Sequence, residues 1–311
     1  MVNLSPGRYD LPRLNRSSLT RFAWLSIAAA IATIVLKTVA YLITDSVGLL
    51  SDAIESGVNL IGGIMALAML TVAARPADED HAYGHSKAEY FSSGVEGTLI
   101  LVAAVSIAVT AVERLLHPRP LEAIGIGLLV SVAASVINLV VALLILRAGR
   151  KHNSITLEAN AHHLMTDVWT SVGVVVAVGL VAWTHWIWLH AVVALLVAAN
   201  IIWTGVGIVR RSISGLMDVS LSPADMAVVR NTLKAYEQTG IQFHALLSRQ
   251  AGARKFVSMH VLVPGDWTVQ HGHELLDKIE ADIRRALPDS VAFTHLESLD
   301  DPASWADEKL S

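Results

Sequence analysis

Cysteine is absent from the 311 residues. This excludes disulfides and thiolate metal sites, and leaves His, Asp and Glu as the only strong metal ligands. Charge is scarce as well. Only 16% of the residues are charged and 53% are apolar, whereas an ordinary soluble domain carries about 25% charged residues. A mean hydropathy of +0.53 places the chain among membrane proteins. The net charge of -4 gives no electrostatic footing for nucleic acid. The opening MVNLSPGRYDLPRLNRSSLTR lacks the short apolar core and small-residue cleavage site of a secretory signal, and reads as a retained tail.

What the chain does have is long apolar runs. A spanning helix needs about 20 mostly apolar residues, and six stretches qualify, near 22–43, 47–73, 90–113, 122–146, 155–183 and 186–209. The first, third and fourth are clean apart from Lys37, Glu96 and Asn138. The second holds Asp52, Glu55 and Asn59, and the fifth holds His162, His163 and Asp167. Such groups are costly in hydrocarbon, so these two spans are expected to face each other or a wet cavity inside a bundle. Lysines and arginines cluster before span one (Arg8, Arg13, Arg16, Arg21), between spans two and three (Arg75, Lys87), between four and five (Arg147, Arg150, Lys151) and after six (Arg210, Arg211). The other side has Arg114 and Arg119 and little else. The positive-inside rule therefore places both termini in the cytoplasm.

After Arg211 the composition turns soluble. Ser222 as N-cap and Pro223 at the first helical position start a helix. HALLSRQ and KFVSMHVLV read as strands joined by AGAR, TVQHGHELLDKIEADIRRAL as an amphipathic helix ending before Pro288, and SVAFTHLE as a last strand. The expected fold is a polytopic α-helical membrane protein: six transmembrane helices followed by a cytoplasmic αββαβ, ferredoxin-like α+β domain with two helices on one face. The expected domains are an N-terminal tail at 1–20, a membrane domain at 21–211, the αββαβ domain at 212–297 and a loose acidic tail at 298–311.

His163 and Asp167 are four residues apart, hence one turn apart on one helical face, and Glu55 and Asn59 share that spacing. Two helices that each offer two donors in this way suit one tetrahedrally held divalent cation. Asp52 is expected as a fifth ligand or as a partner behind the ligands, and His162 points about 100° away. The plainer reading is a polar cluster gluing two helices together. In the soluble part, His260 lies centrally in a strand, His295 and Glu297 share a strand face, and His273 opens a helix. Such a set converges at one edge of the sheet or consists of ordinary surface histidines. HGHELLD resembles the H-E-x-x-H of zinc proteases, but Asp277 stands where the second His belongs. No span contains that motif either, so the chain is not expected to be an enzyme.

The segment ADEDHAYGHSKAEYF sets Asp78, His81 and His85 in D-x-x-H-x-x-x-H spacing. With LLSDAIES in span two, ANAHHLMTD in span five, six spans and the αββαβ tail, the chain resembles the cation diffusion facilitator family over residues 20–297. The resemblance implies a homodimeric transporter exporting Zn²⁺ or a related divalent cation from the cytoplasm, in exchange for protons, by alternating access. By position it implies a central site at Glu55, Asn59, His163 and Asp167 and a loop site at Asp78, His81 and His85. It also implies cytoplasmic-domain ligands at His260, His273, His295 and Glu297, with His244 a further candidate. Asn59 and Asn160 stand where family members often carry aspartate, and an Asn carbonyl is a poorer Zn²⁺ ligand than a carboxylate. Fe²⁺, Mn²⁺, Co²⁺, Ni²⁺ and Cd²⁺ therefore stand beside Zn²⁺ as cargo. The expected location is a bacterial inner membrane, with the lipid bilayer and a second copy as partners and no obligatory other protein. The alternative is a membrane-anchored metal sensor with a His-rich cytoplasmic domain.

Overall fold

The computed structural model describes residues 16–44, 47–117 and 126–305, so most of the N-terminal tail and residues 306–311 lie outside it. The described residues form two compact units that part at Gly215.

Six helices make the first unit, after a single 3-10 turn at Arg16–Leu19: α1 (Thr20–Thr44), α2 (Val47–Ala73), α3 (Ala88–Leu116), α4 (Ile126–Lys151), α5 (Ile155–Thr184) and α6 (Trp188–Leu216). All six are long and apolar enough to cross a bilayer, with segment hydropathies of 1.8 to 2.7. Several run past the apolar stretch. α3 continues through Arg114, α4 through Arg150 and Lys151, and α6 through Arg210 and Arg211. A helix keeps its backbone groups bonded on leaving the hydrocarbon, so nothing stops it at the first charged residue. The stops are local. His185 adopts the left-handed conformation and its N–H returns to the Val181 carbonyl, ending α5. Asn153 does the same between α4 and α5, at φ 48°.

The bundle has an apolar outside. Ile31, Val35, Ile61, Val102, Val140 and Trp203 are all exposed, as lipid-facing side chains must be. Its inside is closed by small residues. Ala23 and Ala29 of α1, Ala66 of α2, Ala142 of α4 and Ala161 of α5 pack with Leu70, Ile145 and Leu164 into one cluster. A second cluster joins α3, α5 and α6 through Ile100, Ala104, Ala159, Ile201 and Ile208. Small side chains let helix backbones approach where no hydrophobic effect drives them together. Gly97 of α3 shows this most sharply, because a Cβ there would lie 2.9 Å from Val209 Cγ2 and 3.2 Å from the Val209 backbone nitrogen.

The second unit contains α7 (Pro223–Glu237), β1 (Gln242–Ala251), β2 (Arg254–Val263), α8 (Val269–Ala286) and β3 (Ser290–Ser298). The sheet order is β1-β2-β3. β1 and β2 pair antiparallel, whereas β2 and β3 are parallel and need the α8 crossover. Ser222 and Thr268 cap the two helices by accepting the N–H groups of Asp225 and His271. Alternate residues of β2, namely Val257, Met259, Val261 and Val263, pack with Val229 and Leu233 of α7, Ile279 and Ile283 of α8 and Ala292 of β3. Both helices thus cover one face of the sheet. The Tyr236 hydroxyl donates to Asp282 Oδ2 at 2.6 Å and ties α7 to α8. That bond holds the Asp282 carboxyl below its usual range, while burial, then Asp282, pushes the Tyr236 phenol up to about 12.

The expected loose tail at 298–311 needs correction over its described part. The Leu299 N–H donates to the Val263 carbonyl at 2.9 Å, and Asp300 Oδ2 takes the Gly265 N–H at 2.9 Å. A short 3-10 turn ends in Trp305, whose indole N–H donates to the Leu299 carbonyl at 3.3 Å. The acidic residues of this stretch serve as acceptors for backbone donors, which composition does not reveal.

Gly97→Val is expected to destabilise the α3–α6 contact by about 1–3 kcal/mol through overpacking. It should lower the melting temperature of the detergent-solubilised protein. Gly179→Ala, where a Cβ would meet nothing within 4 Å, should not.

Candidate functional site

Glu55 and Asp167 line a cavity of about 360 Å³ together with Lys37, Asp52 and Asn138. Its lining comes from the C-terminal halves of α1, α3 and α5 and the N-terminal halves of α2, α4 and α6. The cavity therefore lies in the half of the bundle away from the start of α1 and the end of α6. Arg114, near the end of α3, and His190, near the start of α6, mark its outer part.

Within it, Asp167 Oδ2 accepts from two amides. Asn59 of α2 donates through Nδ2, and Asn138 of α4 does so at 2.8 Å. Asn59 was expected as a carbonyl-oxygen ligand, but its nitrogen faces the carboxylate. Asn138 stood out in the sequence as a lone polar residue in a clean span, yet nothing there tied it to Asp167. Asp52 is held by Ser131, whose hydroxyl donates to Oδ2 at 3.0 Å. His163 is buried beyond the cavity lining; its ring faces the Glu96 backbone and its Nδ1 has no hydrogen-bond partner. Among the described residues, Glu55, His163 and Asp167 do not form a group with ligand atoms within 4.8 Å of one another. Helical spacing placed each pair on one face, but it does not fix how closely two helices approach. His162 stands apart from His163, near the charges of Arg211, Glu158 and Arg150. Asn160 is bonded to α1, accepting from Ser26 Oγ at 2.8 Å.

The loop residues do converge. Asp78 Oδ1 accepts the His81 N–H at 2.7 Å, and Gly84, at φ 80°, lets the chain turn so that His85 Nε2 comes within 3.3 Å of Asp78 Oδ2. The His81 and His85 ring centroids are 4.5 Å apart. The His81 backbone N–H is the main group holding the Asp78 carboxyl below its usual range, and the His85 and His81 rings add to it. The three offer ligand atoms within 4.8 Å of one another, a spacing that one divalent ion can bridge.

The soluble unit gathers a second such group. Strand register sets His244 of β1 opposite His260 of β2, and His260 beside His295 of β3. A bulge between His244 and Leu247, with Ala245 at φ 49°, follows the row. Glu297 Oε2 lies 2.8 Å from His244 Nε2, and Oε1 lies 3.1 Å from His260 Nδ1. His244, His260 and Glu297 offer ligand atoms within 4.8 Å of one another. His295 stands 3.7 Å from Glu297 and is 68% exposed. His273 is not in this group; it faces Asp277 on its own helix at 3.6 Å. The set was expected at an edge of the sheet. It instead crosses all three strands on the face opposite α7 and α8, because the parallel β2–β3 register aligns the histidines. Trp305 was not anticipated here, yet its ring sits 5.8 Å from His244, edge-on.

Both units have known counterparts. Residues 23–217 match the cation efflux transmembrane domain, and residues 221–299 match the cytoplasmic domain of cation efflux proteins. The chain belongs to the cation efflux family, the cation diffusion facilitators. It is an integral membrane transporter of that family. It is 54% identical over 284 residues to an uncharacterised transporter of Synechocystis sp., covering 91% of this chain and 92% of that one. A cation-efflux pump of Shewanella oneidensis is 29% identical over 270 residues, 87% of this chain and 90% of its own. One from Klebsiella pneumoniae is 28% identical over 287 residues, 92% and 93% of the two chains. The transporter's residues 300–305, including Trp305, lie beyond the matched region.

Metal binding at the His244–His260–Glu297 group is expected to change the emission of Trp305. The difference between wild type and Trp305→Phe under Zn²⁺ titration isolates it from the other tryptophans. Glu297→Gln should weaken that response about tenfold or more. An unchanged titration would remove Glu297 from the ligand set.

Proposed function

We propose that the protein is a homodimeric secondary transporter that exports a divalent transition-metal cation from the cytoplasm in exchange for protons, by alternating access. The observation that carries this reading is the cavity: carboxylates from α2 and α5 at membrane depth, lining a cavity in one half of the bundle. With the termini cytoplasmic by the distribution of Lys and Arg, that half is the outer one. The arrangement is then outward-facing. Glu55, Asn59, His163 and Asp167 are the central set. Asn59 and Asp167 already meet, and Glu55 and His163 join them when the ion binds. Asp52 supports them from the next turn. The ligands bind metal only when deprotonated, so protons entering from outside compete with the cargo and displace it. The sites at Asp78, His81 and His85 and at His244, His260 and Glu297 serve as cytoplasmic metal sites that register supply, with His273 and His295 at the margin of the latter.

The cargo is Zn²⁺ or one of Fe²⁺, Mn²⁺, Co²⁺, Ni²⁺ and Cd²⁺. Asn59 directs an amide N–H at Asp167, which leaves the carboxylates of Glu55 and Asp167 with the imidazole of His163, a set of less negative charge than a tris-carboxylate–His site and open to each of these borderline cations. The relatives named as cation-efflux pumps come from bacteria, which supports an inner-membrane location. A membrane-anchored sensor needs no ionisable groups in its spans, and buried Asp167 argues against it.

Reconstituted in vesicles, the wild type is expected to move metal with proton movement in the opposite sense, read by a pH-sensitive dye. Metal flux that ignores the proton gradient would sink the exchange. Asp167→Ala should lose flux by at least about two orders of magnitude while eluting as folded protein, since it removes the carboxylate at the centre of the site. A sensor would keep its cytoplasmic metal response and show no flux in either form.

A further inference from the structure

Lys37 is the one lysine at membrane depth among the cavity-lining residues, and its side chain is only 10% exposed. A buried ammonium beside a cation site is an odd choice, because like charges repel and burial of the charge is costly. Its bonding shows that it is more than a counter-ion to Asp52. Lys37 Nζ donates to Ser56 Oγ at 3.0 Å and to the Asp52 backbone carbonyl at 3.2 Å, both neutral acceptors. The Asp52 carboxylate stays at 3.9 Å, beyond a hydrogen bond, and is instead bonded by Ser131. The positive charge is thus fixed in place by α2 without being consumed by one carboxylate. It shares the cavity with Glu55 and Asp167 as well. Arg114 and His190 are the other basic groups on the cavity, but they lie in its outer part.

Resting on the transporter reading, we propose that Lys37 is a release-setting residue. Its fixed ammonium weakens divalent-cation binding to the Glu55–Asp167 cavity and hastens departure of the cargo. A unit charge within several ångströms of a divalent ion changes its affinity by well over a factor of ten, even at an effective dielectric of about 20. The same charge keeps the emptied cavity from becoming a cluster of unopposed carboxylates.

The test is Zn²⁺ transport by the full-length protein in vesicles, with Mn²⁺ in parallel, for wild type, Lys37→Gln and Lys37→Arg. Gln keeps a donor for Ser56 and the Asp52 carbonyl but deletes the charge. The expected result is a KM at least tenfold lower in Lys37→Gln, with a reduced turnover because release has become slow. Lys37→Arg should restore the wild-type KM. A folded Lys37→Gln protein with a KM within about twofold of wild type overturns the role of Lys37, and so does a Lys37→Arg protein that behaves like Lys37→Gln. Lys37→Met, which fills the volume without polar demands, is read in the same way if the Gln variant does not fold. Where wild type carries neither Zn²⁺ nor Mn²⁺, the same comparison is made with Fe²⁺, Co²⁺, Ni²⁺ and Cd²⁺, and absence of flux for all six overturns the transporter reading itself, and this one with it. Wild-type flux with an unshifted KM overturns this one alone.

Discussion

A carboxylate in the middle of a bundle within a bilayer must be held by donors, and Asp167 has two on the same oxygen. Asn59 and Asn138 bring α2 and α4 to a fixed point on α5, and the rest of the bundle is arranged so that they can reach it. Small residues at the α1, α2, α4 and α5 contacts supply the close approach. Ser135 and Ser171 bridge α4 and α5 one turn further along, and Ser26 with Asn160 bridges α1 and α5. Each link is a short polar side chain that would otherwise sit unsatisfied in hydrocarbon. Because both amides use Oδ2, Oδ1 remains available to a ligand entering from the cavity. The helices are thus fastened to one side of the carboxylate and the chemistry is left on the other.

Asp, Glu and His are gathered at the three proposed metal sites by different means. In the α2–α3 loop a glycine at positive φ folds a short segment back on itself, so that His85 meets the Asp78 it follows in sequence. In the soluble unit, strand register does the work, and residues far apart in sequence become neighbours. In the bundle, helix faces do it, and short polar side chains fasten them to one another.

How far the sequence disclosed this follows the same division. Six spans and the αββαβ order were legible because hydrophobic length and capping are local properties. The pairing of Asn59 with Asp167 was half legible. Spacing placed each on the right helix face, but the side of the amide that meets the carboxylate depends on the approach of α2 to α5. Asn138 and Lys37 were visible only as blemishes in apolar spans; a lone polar group at membrane depth is a signal of function without an address. His244, His260 and His295 could be suspected as a set, yet their alignment depends on a parallel register that no local pattern encodes. Trp305 was hidden entirely, because its placement rests on Asp300 and Leu299 folding the chain back.

Charge ties these observations together. The carboxylates of Asp52, Glu55 and Asp167 face the ammonium of Lys37 around one cavity. Fully ionised, that inner set is two charges short of neutral, the deficit a divalent cation fills. An aspartate at Asn59 would deepen it, and loss of Lys37 would do the same, so the two unusual residues work in one direction. Both reduce the pull on the ion at the place where low dielectric makes that pull strongest. An exporter has to bind its cargo from a dilute cytoplasm and still let it go outside, and a ligand set tuned for the tightest grip would fail at the second step. On the proposed reading, neutral Asn59 and cationic Lys37 limit the grip without giving up the carboxylates that make it.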